Sequence, residues 1–246
     1  ISGNTFASIT GGNDAMAMIT TRGGSALCNV NNNNIGNNIA GSITGTGSLT
    51  GINLTATGIA SVATNTISGI SSTGSGTSIV TGINTALPTA TITGNFINTL
   101  SSSGNGSELN GISIASGTTV NASLNTIHTI TGTGTGNTFS NGISVISGST
   151  VNVFKNKIFN LSQQFSAGGA NPLVNGLLIK GGTTVKAYNN FISDLRAPVA
   201  NADDAIHGIS LISSVLNSNC DIYYNTVYLN ATSTGANFGT SGIFHT

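Results

Sequence analysis

The chain has 246 residues, six basic and six acidic side chains, and a formal net charge of zero. Charged residues make up only 5%, where a typical globular protein carries about 25%, and Arg22, Lys155, Lys157, Lys180, Lys186 and Arg196 form no strong run. Such a surface lacks the clustered cations that neutralise nucleic-acid phosphates or hold an anionic bilayer surface, and no stretch approaches the ~20 apolar residues of a membrane span.

The chain opens Ile1-Ser2-Gly3-Asn4, without a basic start or an apolar run, so any export signal is expected to have been removed or to lie outside this sequence. Low charge and abundant glycine suggest disorder, but 38% of the residues are hydrophobic and the aliphatic ones are regularly placed. Asn33-Asn34-Ile35 is the best first copy of an Asn-x-Ile/Val frame. The frame continues at Asn65, Asn95, Asn125, Asn156, Asn190 and Asn225, at intervals of 30 to 35 residues. A glycine followed by an aliphatic residue keeps step with it, at Gly51, Gly82, Gly111, Gly142, Gly176, Gly208 and Gly242. Two frames sharing one period imply about seven repeats.

Each repeat reads as three short strands. Around Asn156, Ile143 and Val145 alternate with Ser144, Val151 and Val153 flank Asn152, and Ile158 and Leu161 follow the Asn. Alternation of this kind marks strands with one buried face; no segment sustains a helical period. Three strands cannot bury their inner faces alone, but stacked copies can. The expectation is an all-β, right-handed parallel β-helix of about seven coils, spanning 1–246 as a single domain. Its axis should be roughly 34 Å at about 4.8 Å per coil. Equivalent slots should then stack, with Ile97, Ile127 and Ile158 one above another. Asn65, Asn95, Asn125, Asn156, Asn190 and Asn225 should form an inward ladder of amides, their αL-tolerant backbone also making the corner. Cys28 and Cys220 both fall five residues before a frame Asn, in a slot held elsewhere by Val, and are expected to be two buried free thiols.

Gly-Ile-Ser-Val-Ile-Ser-Gly-Ser-Thr-Val-Asn-Val (142–153) and Tyr-Tyr-Asn-Thr-Val-Tyr-Leu-Asn-Ala-Thr-Ser-Thr-Gly (223–235) carry a resemblance to right-handed β-helix proteins of the pectate-lyase-like superfamily. More narrowly, the chain resembles the large surface repeat proteins that gliding-type bacteria export by the type IX route. The resemblance implies export and surface exposure. It does not imply an activity, because lyases, hydrolases, adhesins and passive stalks share the plan.

The carboxylates are few. Asp194, Asp203, Asp204 and His207, with Arg196, form the one local gathering and are the weak catalytic or cation-binding candidates; His207 is read as facing water beside a turn at Gly208. His128 shares its slot with Ser68, Asn98, Phe159, Ser193 and Tyr228, which gives no functional column. The stretches 44–48, 71–75, 101–104 and 131–135, rich in Thr, Ser and Gly, follow one slot on successive repeats. They read either as turns of small residues or as a hydroxyl array for ice or a neutral glycan. The chain stops in mid-repeat at Gly242-Ile243-Phe244-His245-Thr246, so it is expected to be a section of a longer chain or to self-associate through open coil ends. The function expected is a non-enzymatic structural or adhesive rod, secreted or on a bacterial cell surface, with no cofactor, metal, nucleic acid or membrane insertion. The alternative is a module that binds or cleaves a polysaccharide, and a lesser one is ice binding.

Overall fold

A computed structural model describes residues 1–246 apart from 23, 25, 26, 38, 40, 56, 57, 135, 137 and 165–173. Among the described residues none is helical. The chain is a right-handed parallel β-helix of about seven coils, three strands to a coil.

The first sheet contains Met16–Thr21, Leu49–Leu54, Ile79–Thr85, Glu108–Ile114, Phe139–Val145, Val174–Ile179, Ala202–Leu211 and Phe238–His245. The second contains Leu27–Asn31, Ile59–Ala63, Thr89–Thr93, Thr119–Ser123, Thr150–Phe154, Thr184–Tyr188 and Asn219–Tyr223. The third runs through Thr5–Phe6, Asn34–Ile35, Thr66–Ser72, Phe96–Ser102, Thr126–Gly132, Lys157–Gln163, Phe191–Arg196 and Thr226–Tyr228, with Ile9–Thr10 and Ile43–Gly45 beside it. Every strand pairs in parallel with its counterpart one coil away, and the register is the one the sequence frames require: Ile97 opposes Ile127, and Ile127 opposes Ile158.

The columns of aliphatic side chains enclose one continuous core. In the coil around Asn125, Leu109, Ile112 and Ile114 of the first sheet meet Val120 and Ala122 of the second and Ile127 and Ile130 of the third, all fully buried. Each such side chain contributes about 1.5–3 kcal/mol by leaving water. Cys28 and Cys220 occupy the predicted slot, opposite Ala60 and Val185, and are free, but both are only partly buried because they lie on outlying coils. Burial still pushes the Cys220 thiol up from its usual range.

The asparagine ladder is present and runs further than expected, through Asn4, Asn33, Asn65, Asn95, Asn125, Asn156, Asn190 and Asn225. Each inner rung uses its whole amide. Asn125 Nδ2 donates to Asn156 Oδ1 at 3.0 Å and to the Ile92 carbonyl at 3.0 Å. Its Oδ1 accepts from the backbone N–H and Nδ2 of Asn95, each at 3.0 Å. Stacking therefore satisfies buried amides that a lone coil would leave unpaired.

The corner, however, is not made by the ladder Asn. The left-handed residue is the one before it: Asn32, Thr64, Gly94, Leu124, Lys155, Asn189 and Tyr224, with φ between 54° and 64°. That turn swings the following Asn inward. A second left-handed column at Gly69, Thr99, Thr129, Asn160 and Asp194 bends the third sheet at mid-strand. It explains the three-residue spacing of Ile158 and Leu161, both buried.

Gly208 is not the turn expected of it, and the whole glycine frame has one role. The glycines lie within strands of the first sheet and face inward against the third. A Cβ on Gly142 would sit 2.5 Å from the Gly176 carbonyl oxygen and closer still to Ile158 Cγ2. The same clash recurs at Gly51, Gly82, Gly111, Gly176 and Gly208. Glycine is here because the neighbouring coil and the Ile of the Asn frame already fill the space a side chain would need.

Candidate functional site

The positions just before these glycines, Thr50, Thr81, Asn110, Asn141, Asn175, His207 and Ser241, stack in register on the first sheet. Asn-Gly recurs at 110–111, 141–142 and 175–176, the Asn beside each frame glycine forming part of this column. Its period was the available signal. Asn175 Nδ2 donates to Asn141 Oδ1 at 2.9 Å, and Asn141 Nδ2 donates to Asn110 Oδ1 at 3.1 Å and to Glu108 Oε1 at 3.4 Å. Asn84 donates to Asn53 in a parallel column three residues on.

His207 follows Asn175 in this column. It was expected in water beside a turn; it is instead fully buried, in mid-strand, because Gly208 is a packing position rather than a turn. Its ring stacks on Phe244 of the next coil with centroids 4.1 Å apart. Nε2 lies 3.8 Å from Asp204 Oδ1, beyond hydrogen-bond range, and among the described residues neither ring nitrogen has a protein partner. Burial lowers the imidazole pKa, and nearby Asp204 opposes that shift. Asn175 Oδ1, Ser144 Oγ and Ser210 Oγ are likewise buried and unpaired on this sheet.

The predicted gathering of acids divides. Asp204 is on the same strand as His207 and accepts a bond from Ser241 Oγ of the next coil at 3.0 Å. Asp203 is exposed beside it. Asp194 belongs to the third sheet, where it occupies the left-handed bend and forms a two-pronged pair with Arg196 at 2.6 and 2.5 Å. Both partners are about half exposed, so the pair contributes little to stability. Among the described residues no three His, Cys, Asp or Glu side chains are grouped to hold a metal ion.

Earlier along the first sheet lies a groove of mixed character, a cavity of about 290 Å³ lined by residues that include Thr50, Asn53, Thr81, Asn84, Glu108 and Asn110 together with Ile79, Ala115 and Ile146. Two aromatic columns are present, and two tyrosines of the cluster late in the sequence, Tyr188 and Tyr223, belong to the first. Phe154, Tyr188 and Tyr223 stack on the second sheet with centroids 4.9 and 5.0 Å apart and planes within 2°. On the third, His128 stacks on Phe159 at 4.8 Å and meets the edge of Phe96 at 5.1 Å. Within the Phe154–Tyr188–Tyr223 column the stacked rings cover each other's faces, whereas Tyr224 and Tyr228 stand exposed.

The Thr/Ser/Gly stretches stack in register. The N–H of Thr73 bonds to the Gly45 carbonyl, that of Ser103 to Ser72 and that of Thr133 to Ser102. Thr73, Ser103 and Thr133 are exposed and Gly74, Gly104 and Gly134 buried, while two residues earlier Thr44, Ser71, Ser101 and Thr131 stack as a second, half-buried hydroxyl column; Thr135 lies outside the described residues. Comparison with family models, curated proteins and solved structures finds no match to this chain.

Proposed function

We propose that this chain is a segment of a non-enzymatic rod, structural or adhesive, in a secreted or cell-surface bacterial protein. On this reading it is a variation on the pectate-lyase-like β-helix, carried by a type IX-exported surface protein, as the resemblance of 142–153 and 223–235 implies. The supporting observation is the ladder from Asn4 to Asn225, backed by the glycine and isoleucine columns. The residues that recur with the repeat serve coil-to-coil bonding and packing. The few carboxylates do not recur, and they are divided between sheets. A sparsely charged surface over such a core suits a spacer or matrix component that works at varied ionic strength, because it has few charges to screen.

A second reading, binding of a neutral glycan, is favoured by the groove of amide and hydroxyl groups on the first sheet. Ice binding is the lesser reading, since the hydroxyls form only two columns and Ser interrupts Thr in both. Three measurements separate these readings: release of reducing ends from acidic and neutral polysaccharides, glycan-array binding, and thermal hysteresis. The rod reading expects all three to be negative and antibody to label intact cells of the producing bacterium. Release of reducing ends would overturn it in favour of an enzyme.

A further inference from the structure

The column that holds His207 has an obvious occupant, and it is not histidine. Asn141 donates to Asn110 and Asn175 donates to Asn141, each Nδ2 reaching the Oδ1 of the coil before. An Asn at 207 would continue the series by donating to Asn175 Oδ1, which is buried and has no partner. The chain instead buries an imidazole with two unpaired nitrogens there, an arrangement that costs stability. Departures of this kind are where function is to be sought.

The surroundings give the departure a use. Asp204 Oδ1 holds Ser241 Oγ of Phe238–His245 at 3.0 Å, and the same oxygen is 3.8 Å from His207 Nε2. The His207 ring is in turn covered by Phe244 of that strand. We propose that His207 is an acid-sensitive latch between two coils. Neutral His207 lets Asp204 hold Ser241 and keeps Phe244 stacked; protonated His207 takes Asp204 Oδ1 from Ser241 and loosens Phe238–His245 from Ala202–Leu211.

The other charged or titratable groups on the strands packed here are few. Asp203 lies beside Asp204 on the same strand, and His245 stands opposite Leu211 on the outer one. Val174–Ile179 on the other side carries none, and Lys180 follows it, exposed. No cation therefore competes with His207 for Asp204 within these strands. The sign follows from burial: a histidine held neutral in the fold binds its proton more readily once the strand opens, so stability is full above the free-imidazole value of about 6.5 and declines as pH falls below it.

The test is amide hydrogen exchange of Phe238–His245 in the whole chain, corrected for intrinsic rates, between about pH 8 and about pH 5. Protection of that strand is expected to fall roughly tenfold for each pH unit over which one proton is taken up, while Thr126–Gly132 stays protected and reports an intact rod. His207→Asn is expected to abolish the response and to raise protection at neutral pH. His245→Asn and His128→Asn are expected to retain it. Asp204→Asn, which removes the carboxylate that favours the imidazolium within the fold, is expected to keep the onset near pH 6.5 and to extend the loss of protection to lower pH. Unchanged protection of Phe238–His245 on acidification overturns the proposal. So does a wild-type response in His207→Asn, or a smaller total loss of protection in Asp204→Asn than in the wild type.

Discussion

Asn125→Ala is expected to destabilise the rod by roughly 3–5 kcal/mol, because a single truncation strands several buried groups at about 1–3 kcal/mol each. Asn95 loses the acceptor for both its backbone N–H and its Nδ2, and the Ile92 carbonyl loses its side-chain donor. All of these lie in the dry interior, where water does not replace the lost partner. Asn125→Asp separates the two halves of the rung. It keeps an acceptor for Asn95 but gives up both donors and places a charge in the core, so it should be no better tolerated than Ala. Asn4→Ala is the contrast: its side chain is exposed and donates to Asn33 at 2.9 Å, and its loss should cost less than about 1 kcal/mol. Denaturant unfolding of the three variants checks the ranking. Equal midpoints for Asn125→Ala and Asn4→Ala would mean that the amides carry no weight.

Gly142→Ala is expected to be as damaging despite adding one methyl group. Overpacking of a filled core costs about 1–3 kcal/mol and occasionally more. Here the methyl would meet the Gly176 carbonyl oxygen at 2.5 Å as well as Ile158 Cγ2. Backbone on one side and a β-branched, rotamer-locked side chain on the other leave no flexible neighbour to yield, so the cost should reach about 3 kcal/mol or exceed it. Gly242→Ala, whose added Cβ would have nothing within 4 Å, should leave the unfolding midpoint unchanged. The pair isolates packing from glycine's backbone entropy, which both substitutions alter alike.

Much of this architecture is legible in the sequence because one period governs it. The Asn frame located the ladder from Asn65 to Asn225 and the Ile column beside it, since both depend on stacking and recur with each coil. The backbone roles were harder to read. Leu124, Lys155 and Tyr224 adopt left-handed geometry at the corner with φ near 55°, yet nothing in a Leu or a Lys announces it. The fully bonded Asn that follows makes the corner worth its strain. Asn-Gly at 110–111, 141–142 and 175–176 announces neither of its roles, a stacked buried amide and a glycine whose side-chain space the next coil already fills. The candidate site was least legible of all. Asp194 and His207 are close in sequence and lie on different sheets, since each coil turns its successive strands to different sides. His207 took its meaning only from Asn175 and Ser241, one coil below and one above.

The most direct test of the coil register is a pair of engineered cross-links with Cys28 and Cys220 replaced by alanine. Thr119 opposes Thr150, and Thr150 opposes Thr184, on the second sheet. Thr119→Cys with Thr150→Cys lies one coil apart, about 4.8 Å, within the Cα span of about 4.4–6.8 Å that a disulfide bridges. Thr119→Cys with Thr184→Cys lies two coils apart, about 9.6 Å. Under mild oxidation the first pair should close within the monomer and the second should stay reduced. Closure of the second pair, or failure of the first, would contradict the stacked register on which both the ladder and the latch depend.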